Sequence, residues 1–292
     1  MTIPKVPPID ELAEIFGDAN ACFDLLVCVG VLSRERACLC GLSLSFIESR
    51  GGFRCSSRHC RKSFSVFAGT FFSRAVLPIN KIMRMAYFWL CRCSTSSVVA
   101  ITGHSTDTVC AYFKYFRELV ADALDEVDIC IGGDGVVVEL DESKFGKRKQ
   151  HRGHSVEGVW VLGGVERTPE RRVFLAAVPD RSMATLEGII SKHVYPGSIV
   201  YTDLWKAYSQ LENHFNYEHR SVNHTLHFVD PITGVHTNTI EGTWAGIKLG
   251  IPRRNRVDAE MDEHLFEFIW RRTNSNNLWA GFLHALKDVA YE

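Results

Sequence analysis

The chemistry most legible in this chain of 292 residues belongs to three carboxylates. Asp141 follows directly on Val136-Val-Val-Glu-Leu140, and Asp203 follows directly on Ser198-Ile-Val-Tyr-Thr202. Both tracts are compact apolar runs that read as buried strands. Two acids at the ends of two strands can be held side by side by one sheet. A lone acid at a strand end is ordinarily a turn residue or a helix cap. The same arrangement occurring twice weakens that plainer reading. Glu241 stands in His236-Thr-Asn-Thr-Ile-Glu-Gly-Thr-Trp-Ala-Gly-Ile-Lys248, where Thr239 is placed to cap a helix and Ile240, Trp244 and Ile247 fall on one face. Lys248 follows Glu241 two turns on along the same face. That suits the edge of a site and suits a solvated helix face equally. Phosphodiester attack needs an activated water or hydroxyl and a stabilised leaving oxygen. Two divalent ions ~4 Å apart supply both, hard oxygen ligands hold them, and no nucleophilic side chain is required.

The elements that must position these acids alternate along the chain. Residues 9–31 have helical spacing, with Gly17 as a break. From Cys38 to Phe72 the texture changes to cysteines, Gly, Ser and short apolar pairs, a small β-rich module with little core of its own. Residues 79–126 return to helical texture: an apolar–aromatic run from Asn80 to about Cys93, a short helix over Val98–Thr102 capped by Ser96 or Ser97, a break at Gly103, and a longer helix capped by Ser105. A short helix, a glycine turn and a longer helix is the outline of a helix-turn-helix, and equally of a plain helical linker. After Ile131-Gly-Gly-Asp-Gly135 strands take over: Val136–Leu140, Val159–Val165, Val173–Val178 and Ser198–Thr202, with helices over Ala184–His193 and Leu204–Leu211. Strands first and helices interleaved later give a mixed α/β domain, with its boundary near 127–135.

Composition sets the frame. The chain is 46% hydrophobic and 23% charged, ordinary globular values that allow two domains with cores. A formal net charge of −1 announces no global positive field, so any nucleic-acid partner must be met by local clusters. No stretch approaches the roughly 20 apolar residues that span a bilayer, so no membrane partner is expected. The N-terminus lacks a basic region followed by an apolar core, so no signal peptide is expected either. Ten cysteines without a secretion signal point to reduced thiols or metal ligands.

From Val136 to about Asn274 the chain closely resembles DDE transposases of the Merlin superfamily and their bacterial insertion-sequence relatives. The matching strings are Glu139-Leu-Asp-Glu-Ser-Lys144, Gly158-Val-Trp-Val-Leu-Gly-Gly-Val-Glu-Arg167, Val178-Pro-Asp-Arg-Ser182, Tyr195-Pro-Gly-Ser-Ile-Val-Tyr-Thr-Asp203, Ser221-Val-Asn-His224, Phe228-Val-Asp-Pro231 and Gly234-Val-His-Thr-Asn-Thr-Ile-Glu241. Cys55–Phe72 adds a further match. The resemblance implies an RNase H-like catalytic domain over 131–292, with Asp141, Asp203 and Glu241 as catalytic acids holding two Mg²⁺ or Mn²⁺. It implies a zinc-binding module over 36–75, while the helical texture on either side gives an N-terminal helical segment over 1–35 and a helix-turn-helix-like segment over 76–130. The implied partners are double-stranded terminal inverted repeats and target DNA, with cleavage and joining of a 3′-hydroxyl by a homodimer or larger assembly. The implied compartment is the nucleus in a eukaryotic host and the nucleoid otherwise. The alternative is a domesticated DNA-binding protein without strand transfer; a hydrolytic nuclease is a third.

In the zinc module the implied ligands are Cys38, Cys40, Cys55 and Cys60, since four thiolates hold Zn²⁺ tetrahedrally and substitute for a missing core. Cys38-Leu-Cys40 departs from the usual two-residue gap, which leaves Cys28 and His59 as alternatives. Cys91 and Cys93 sit in an apolar helical run and read as core. Lys144, Lys147, Arg148, Lys149 and Arg152 follow the first acid, where they suit a DNA-backbone clamp, a solvated loop or a nuclear localisation signal. Arg253 and Arg254, with Arg256, follow the helix of Glu241 and take the first two of those readings. Lys248 joins the DNA-contact set. His224, His227 and His236 fit no metal spacing and each taken alone reads as structural; one of them suits a DNA contact or a proton transfer, and His236, which opens the Glu241 motif, is the best candidate. Trp205 and Trp244 read as core, and Arg271 and Arg272 as closing an apolar–aromatic helix.

Overall fold

The computed structural model describes residues 6–146, 158–203, 208, 211, 216–223 and 229–291, and of Arg50 only the backbone. It divides into two compact units, Met1–Ala123 with Asn274–Glu292, and Leu124–Thr273.

The first unit opens with α1 (Ala13–Gly17) and α2 (Ala19–Cys28). The break expected at Gly17 is made by Asp18, whose carboxylate accepts from the Asn20 and Ala21 amides and caps α2. Two hairpins follow, β1 (Glu35–Ala37) with β2 (Ser43–Ser45), and β3 (Gly52–Arg54) with β4 (Ser63–Ser65), both antiparallel. Their small core holds Leu44, Phe53 and Val66 beside Cys38 and Cys55. Three helices come next: α3 (Ile79–Leu90), α4 (Thr95–Thr102) and α5 (Thr106–Asp122). The cap of α4 is Ser94, upstream of the two serines expected; its hydroxyl accepts from the Ser97 amide, so Ser97 is already inside the first turn. Gly103 ends α4 at φ 72°, a left-handed conformation that glycine adopts without a Cβ clash, and Ser105 caps α5 as its sequence suggested. The C-terminal helix Leu278–Asp288 buries Leu278, Phe282 and Leu286 and packs against α3 and α5 in this unit.

The second unit contains α6 (Glu126–Ile129) and a short parallel ribbon of β5 (Ile131–Gly132) with β9 (Val194–Tyr195). Its centre is a five-stranded mixed sheet in which Glu218–Val222, Ile199–Asp203, Val137–Phe145, Val159–Glu166 and Val173–Val178 lie side by side in that order. β6 (Val137–Phe145), β7 (Val159–Glu166) and β8 (Val173–Val178) are antiparallel neighbours; β10 (Ile199–Asp203) runs parallel to both β6 and β11 (Glu218–Val222). One face packs Val138, Leu140, Leu162, Phe174 and Val200 under α7 (Met183–His193). The other packs Phe145, Val161, Val165 and Leu175 under α8 (Asn238–Gly250) and α9 (Asp258–Thr273).

β6 is longer than the expected run ending at Leu140, so Asp141 stands in mid-strand and not at a strand end. The reason is visible in its alternation. Glu139, Asp141 and Ser143 share one face, and each finds a polar partner on the helix that crosses it: Thr239, Trp244 and Lys248 of α8. Polar residues that would end an exposed strand are therefore satisfied inside this one. Asp203 closes β10, one residue beyond the expected strand. β11 escaped the sequence because Glu218-His-Arg-Ser-Val is a mostly exposed edge strand with no apolar alternation. The expected helix over 204–211 lies, apart from Tyr208 and Leu211, outside the described residues. Arg271 and Arg272 lie in the last turn of α9, as expected; Arg271 is buried and pairs one turn back with Glu267 at 2.7 Å, while Arg272 donates to the Arg171 carbonyl at 3.4 Å.

Candidate functional site

The register of β6 and β10 sets up the site. Paired residues run from Ile199 opposite Val137 to Tyr201 opposite Glu139; two positions further along each strand stand Asp203 and Asp141. On its other side Asp141 is paired with Gly163 of β7. The Trp244 indole lies over this spot, donating from Nε1 to Asp141 Oδ2 at 2.9 Å. A Cβ on Gly163 would come within 2.6 Å of the Trp244 ring, so the bare backbone is what admits the indole.

The acids feel one another. Burial pushes the Asp141 carboxyl up to about 6; the Trp244 hydrogen bond opposes this, and the charges of Asp203 and Glu241 add to it. Glu142, next along the strand, is pushed up to about 7, first by burial and then by Asp141 and Asp203, against the Tyr208 hydroxyl that donates to it. Burial also drives the Tyr208 phenol well above its ordinary value, helped by Glu142. Sequence reasoning passed over Glu142, because alternation assigns it to the face opposite Asp141; its adjacency in Glu139-Leu-Asp-Glu142 was the available signal. Asp141, Asp203 and Glu241 are thus brought into one electrostatic neighbourhood, with Glu241 exposed at its rim.

Cations border the acids. Lys248 Nζ lies 2.5 Å from Ser143 Oγ and 5.4 Å from the centre of the Phe145 ring. Lys144 Nζ stands 5.2 Å from the centre of the Trp160 ring, and the Arg181 guanidinium stands 3.8 Å from it. Arg181 also reaches Glu142 at 4.0 Å. Arg253 and Arg254 lie exposed in a short turn after α8, beside Arg256, which donates to the Ile251 and Lys248 carbonyls at the end of that helix. His236 faces inward: it contacts Arg167, accepts from the Asn238 amide at 3.3 Å, and lies 3.6 Å from Glu139. Lys147, Arg148, Lys149, Arg152, Trp205, His224 and His227 lie outside the described residues.

The cysteine module forms a second, separate centre. The sulfurs of Cys38, Cys40, Cys55 and Cys60 all lie within 4.8 Å of one another, the one such set of three or more potential ligand atoms among the described residues. Cys38 and Cys60 are 3.6 Å apart, and Cys40 and Cys55 are 3.5 Å apart. Four sulfurs about 2.3 Å from a tetrahedral zinc ion would be about 3.8 Å apart, so the cluster can hold zinc. The Ser57 backbone favours the Cys55 thiolate, yet burial and the three neighbouring thiols outweigh it and push Cys55 up to about 12. A cation among the sulfurs reverses that balance. The short Cys38-Leu-Cys40 gap is accommodated by a tight turn in which the Gly41 amide donates to the Cys38 carbonyl. Cys28 and His59 are not part of this set.

Residues 130–273 match the ISXO2-like transposase domain, an interval that ends with the second compact unit. A curated relative from Haemophilus influenzae, described as an uncharacterized transposase-like protein, is 34% identical over 105 residues, which cover 36% of this chain and 83% of that protein.

Proposed function

This chain belongs to the ISXO2-like family of bacterial insertion-sequence transposases, and from that membership we propose that it is a DNA strand-transfer enzyme whose centre is Asp141, Asp203 and Glu241. The observation that carries the proposal is that Asp203 and Asp141 stand two positions beyond the same paired point of β10 and β6, and that the charges of Asp203 and Glu241 both add to the cost of ionising Asp141. Gathered carboxylates that resist ionisation are a fit donor set for hard divalent cations. Two Mg²⁺ or Mn²⁺ bound there would activate the attacking water or 3′-hydroxyl and stabilise the leaving oxygen. Trp244 holds one Asp141 oxygen and orients the carboxylate. Acids serving two ions ~4 Å apart need not crowd around one point, which suits a trio more widely spaced than the thiols. Lys144 and Lys248 border the acids and are assigned to phosphate contacts, with Arg253 and Arg254 further along the backbone.

The sheet order, with β6, β7 and β8 antiparallel, β10 and β11 added in parallel on the β6 side, and helices on both faces, supports an RNase H-like reading of the second unit. In the first unit, the turn at Gly103 between α4 and α5 supports a helix-turn-helix that holds the terminal repeats. Transposition brings two ends together, so a dimer or larger assembly on DNA belongs to the same proposal. No helix of the described residues is long and apolar enough to cross a membrane.

Substitution of Asp141→Asn or Asp203→Asn tests the reading. Joining of a pre-nicked terminal-repeat end should fall by at least ~10³-fold, the order of loss seen when transition-state electrostatics are removed, while affinity for the same DNA stays within about threefold. Joining that survives either substitution would contradict the site. Binding without nicking in the unsubstituted protein would favour a domesticated DNA-binding protein, and nicking without joining a nuclease.

A further inference from the structure

Glu139 is fully buried, yet it belongs to neither the acidic centre nor a surface pair. Its Oε2 accepts from the Thr239 amide at 2.7 Å and the Ile240 amide at 3.0 Å. Its Oε1 accepts from the Thr239 hydroxyl at 2.8 Å and pairs with Arg167 Nε at 3.1 Å. His236 Nδ1 stands 3.6 Å from the same oxygen, and Arg167 also bonds His236. With both oxygens engaged, Glu139 is ill suited to ligate an ion.

The two amides are those of the first turn of α8. That helix has no cap of its own: Thr237 occupies the N-cap position and makes no side-chain cap bond. Thr239, which the sequence offered as the cap, sits inside the helix and donates its hydroxyl to Glu139 instead. The amides that most helices satisfy locally are here satisfied by a strand residue. A carboxylate is also the charge that a helix N-terminus favours.

This attachment fixes more than the end of a helix. Glu139 and Asp141 are alternate residues on one face of β6, so their spacing is set by the strand. Ile240, Glu241 and Trp244 are set by the helix. Fastening the first turn of α8 to Glu139 fixes its rise and rotation over the sheet, and with them where Glu241 and the Trp244 indole fall relative to Asp141.

We propose that Glu139 is a positioning residue that sets the register of α8 against β6, bringing Glu241 and Trp244 to Asp141 without itself touching substrate or ion. The inference about catalysis rests on the strand-transfer reading above; the inference about geometry does not.

The test is Glu139→Gln, followed by the indole N–H resonance of Trp244 in the full-length protein and by single-turnover joining. Gln keeps the shape and one acceptor but must turn its amide toward helix amides or toward Arg167. The Trp244 resonance should move, while those of Trp89, Trp279 and Trp160 stay in place. Joining should slow by about 100-fold, the scale of loss when reacting groups are misplaced by about an ångström, with DNA affinity unchanged. Thr239→Val removes one donor without stranding a charge and should move the same resonance less; it also serves if Glu139→Gln does not fold. An unmoved Trp244 signal with joining within threefold overturns the proposal, and so does a disturbance spread equally over Trp160. If the unsubstituted protein joins no DNA, the strand-transfer reading fails, and the indole comparison still decides whether Glu139 sets the helix register.

Discussion

Trp244 reaches Asp141 only because residue 163 has no side chain. A methyl there meets the indole at 2.6 Å and Leu175 at 3.0 Å. Gly163→Ala should therefore cost about 1–3 kcal/mol in urea unfolding, the usual range for overpacking, and should weaken joining as well as stability. A second consequence concerns pH. Asp141 and Glu142 titrate near 3.8 and 4.5 when unperturbed and are raised in the fold to about 6 and about 7. Raised carboxyls bind protons more readily folded than unfolded, so their contribution favours the metal-free fold at low pH. That contribution is lost as pH climbs through the folded values. Thermal unfolding of the metal-free protein should show this loss between about pH 4 and 7, and added Mn²⁺ should restore stability at pH 8 but not at pH 5. Equal stabilisation by Mn²⁺ at both values would separate these carboxyls from ion binding.

Among the elements, the cysteine hairpins have little apolar core and gather four thiols that could hold a metal ion. Their core is a handful of side chains around four thiols. Purified protein should carry one zinc per chain by elemental analysis, and Cys55→Ser should release it and unfold the module. Zinc retained in Cys55→Ser would assign the ion to other ligands. The helix caps offer a finer test: Ser94→Ala should cost about 0.5–2 kcal/mol and Ser97→Ala much less. Most helices and the β7 and β8 strands were legible in the sequence, because their apolar periods are strong and their glycine and serine boundaries have a local mechanism. Two elements of the candidate site were legible only in part. The β6 strand hides its length behind Asp141, Glu142 and Ser143; Asp141 and Ser143 are satisfied by a helix about a hundred residues away, and Glu142 by Tyr208 and Arg181. The start of α8 was misjudged because its cap is Glu139, a tertiary partner that no local pattern reveals. The acids and the thiols were legible as residue types; that His236 packs into the Glu139 network was not.

For the whole molecule, the division into units differs from a catalytic segment running to the C-terminus. The helix Leu278–Asp288 closes the first unit, and α6 belongs with the second. A fragment spanning 124–273 should accordingly unfold as a cooperative unit in urea. One spanning 131–292, which lacks α6 and exposes Leu278, Phe282 and Leu286, should be less stable and more prone to aggregate. With a formal net charge of −1, the proposed attraction to DNA must come from local clusters, and such binding should weaken steeply with salt only if enough phosphates are engaged.

The most direct measurement is anomalous diffraction from Mn²⁺-soaked crystals. Two peaks ~4 Å apart, in contact with Asp141, Asp203 and Glu241, are the expected result. Peaks bound elsewhere in the second unit, or a Glu241 carboxylate turned away from both ions, would contradict the acidic centre.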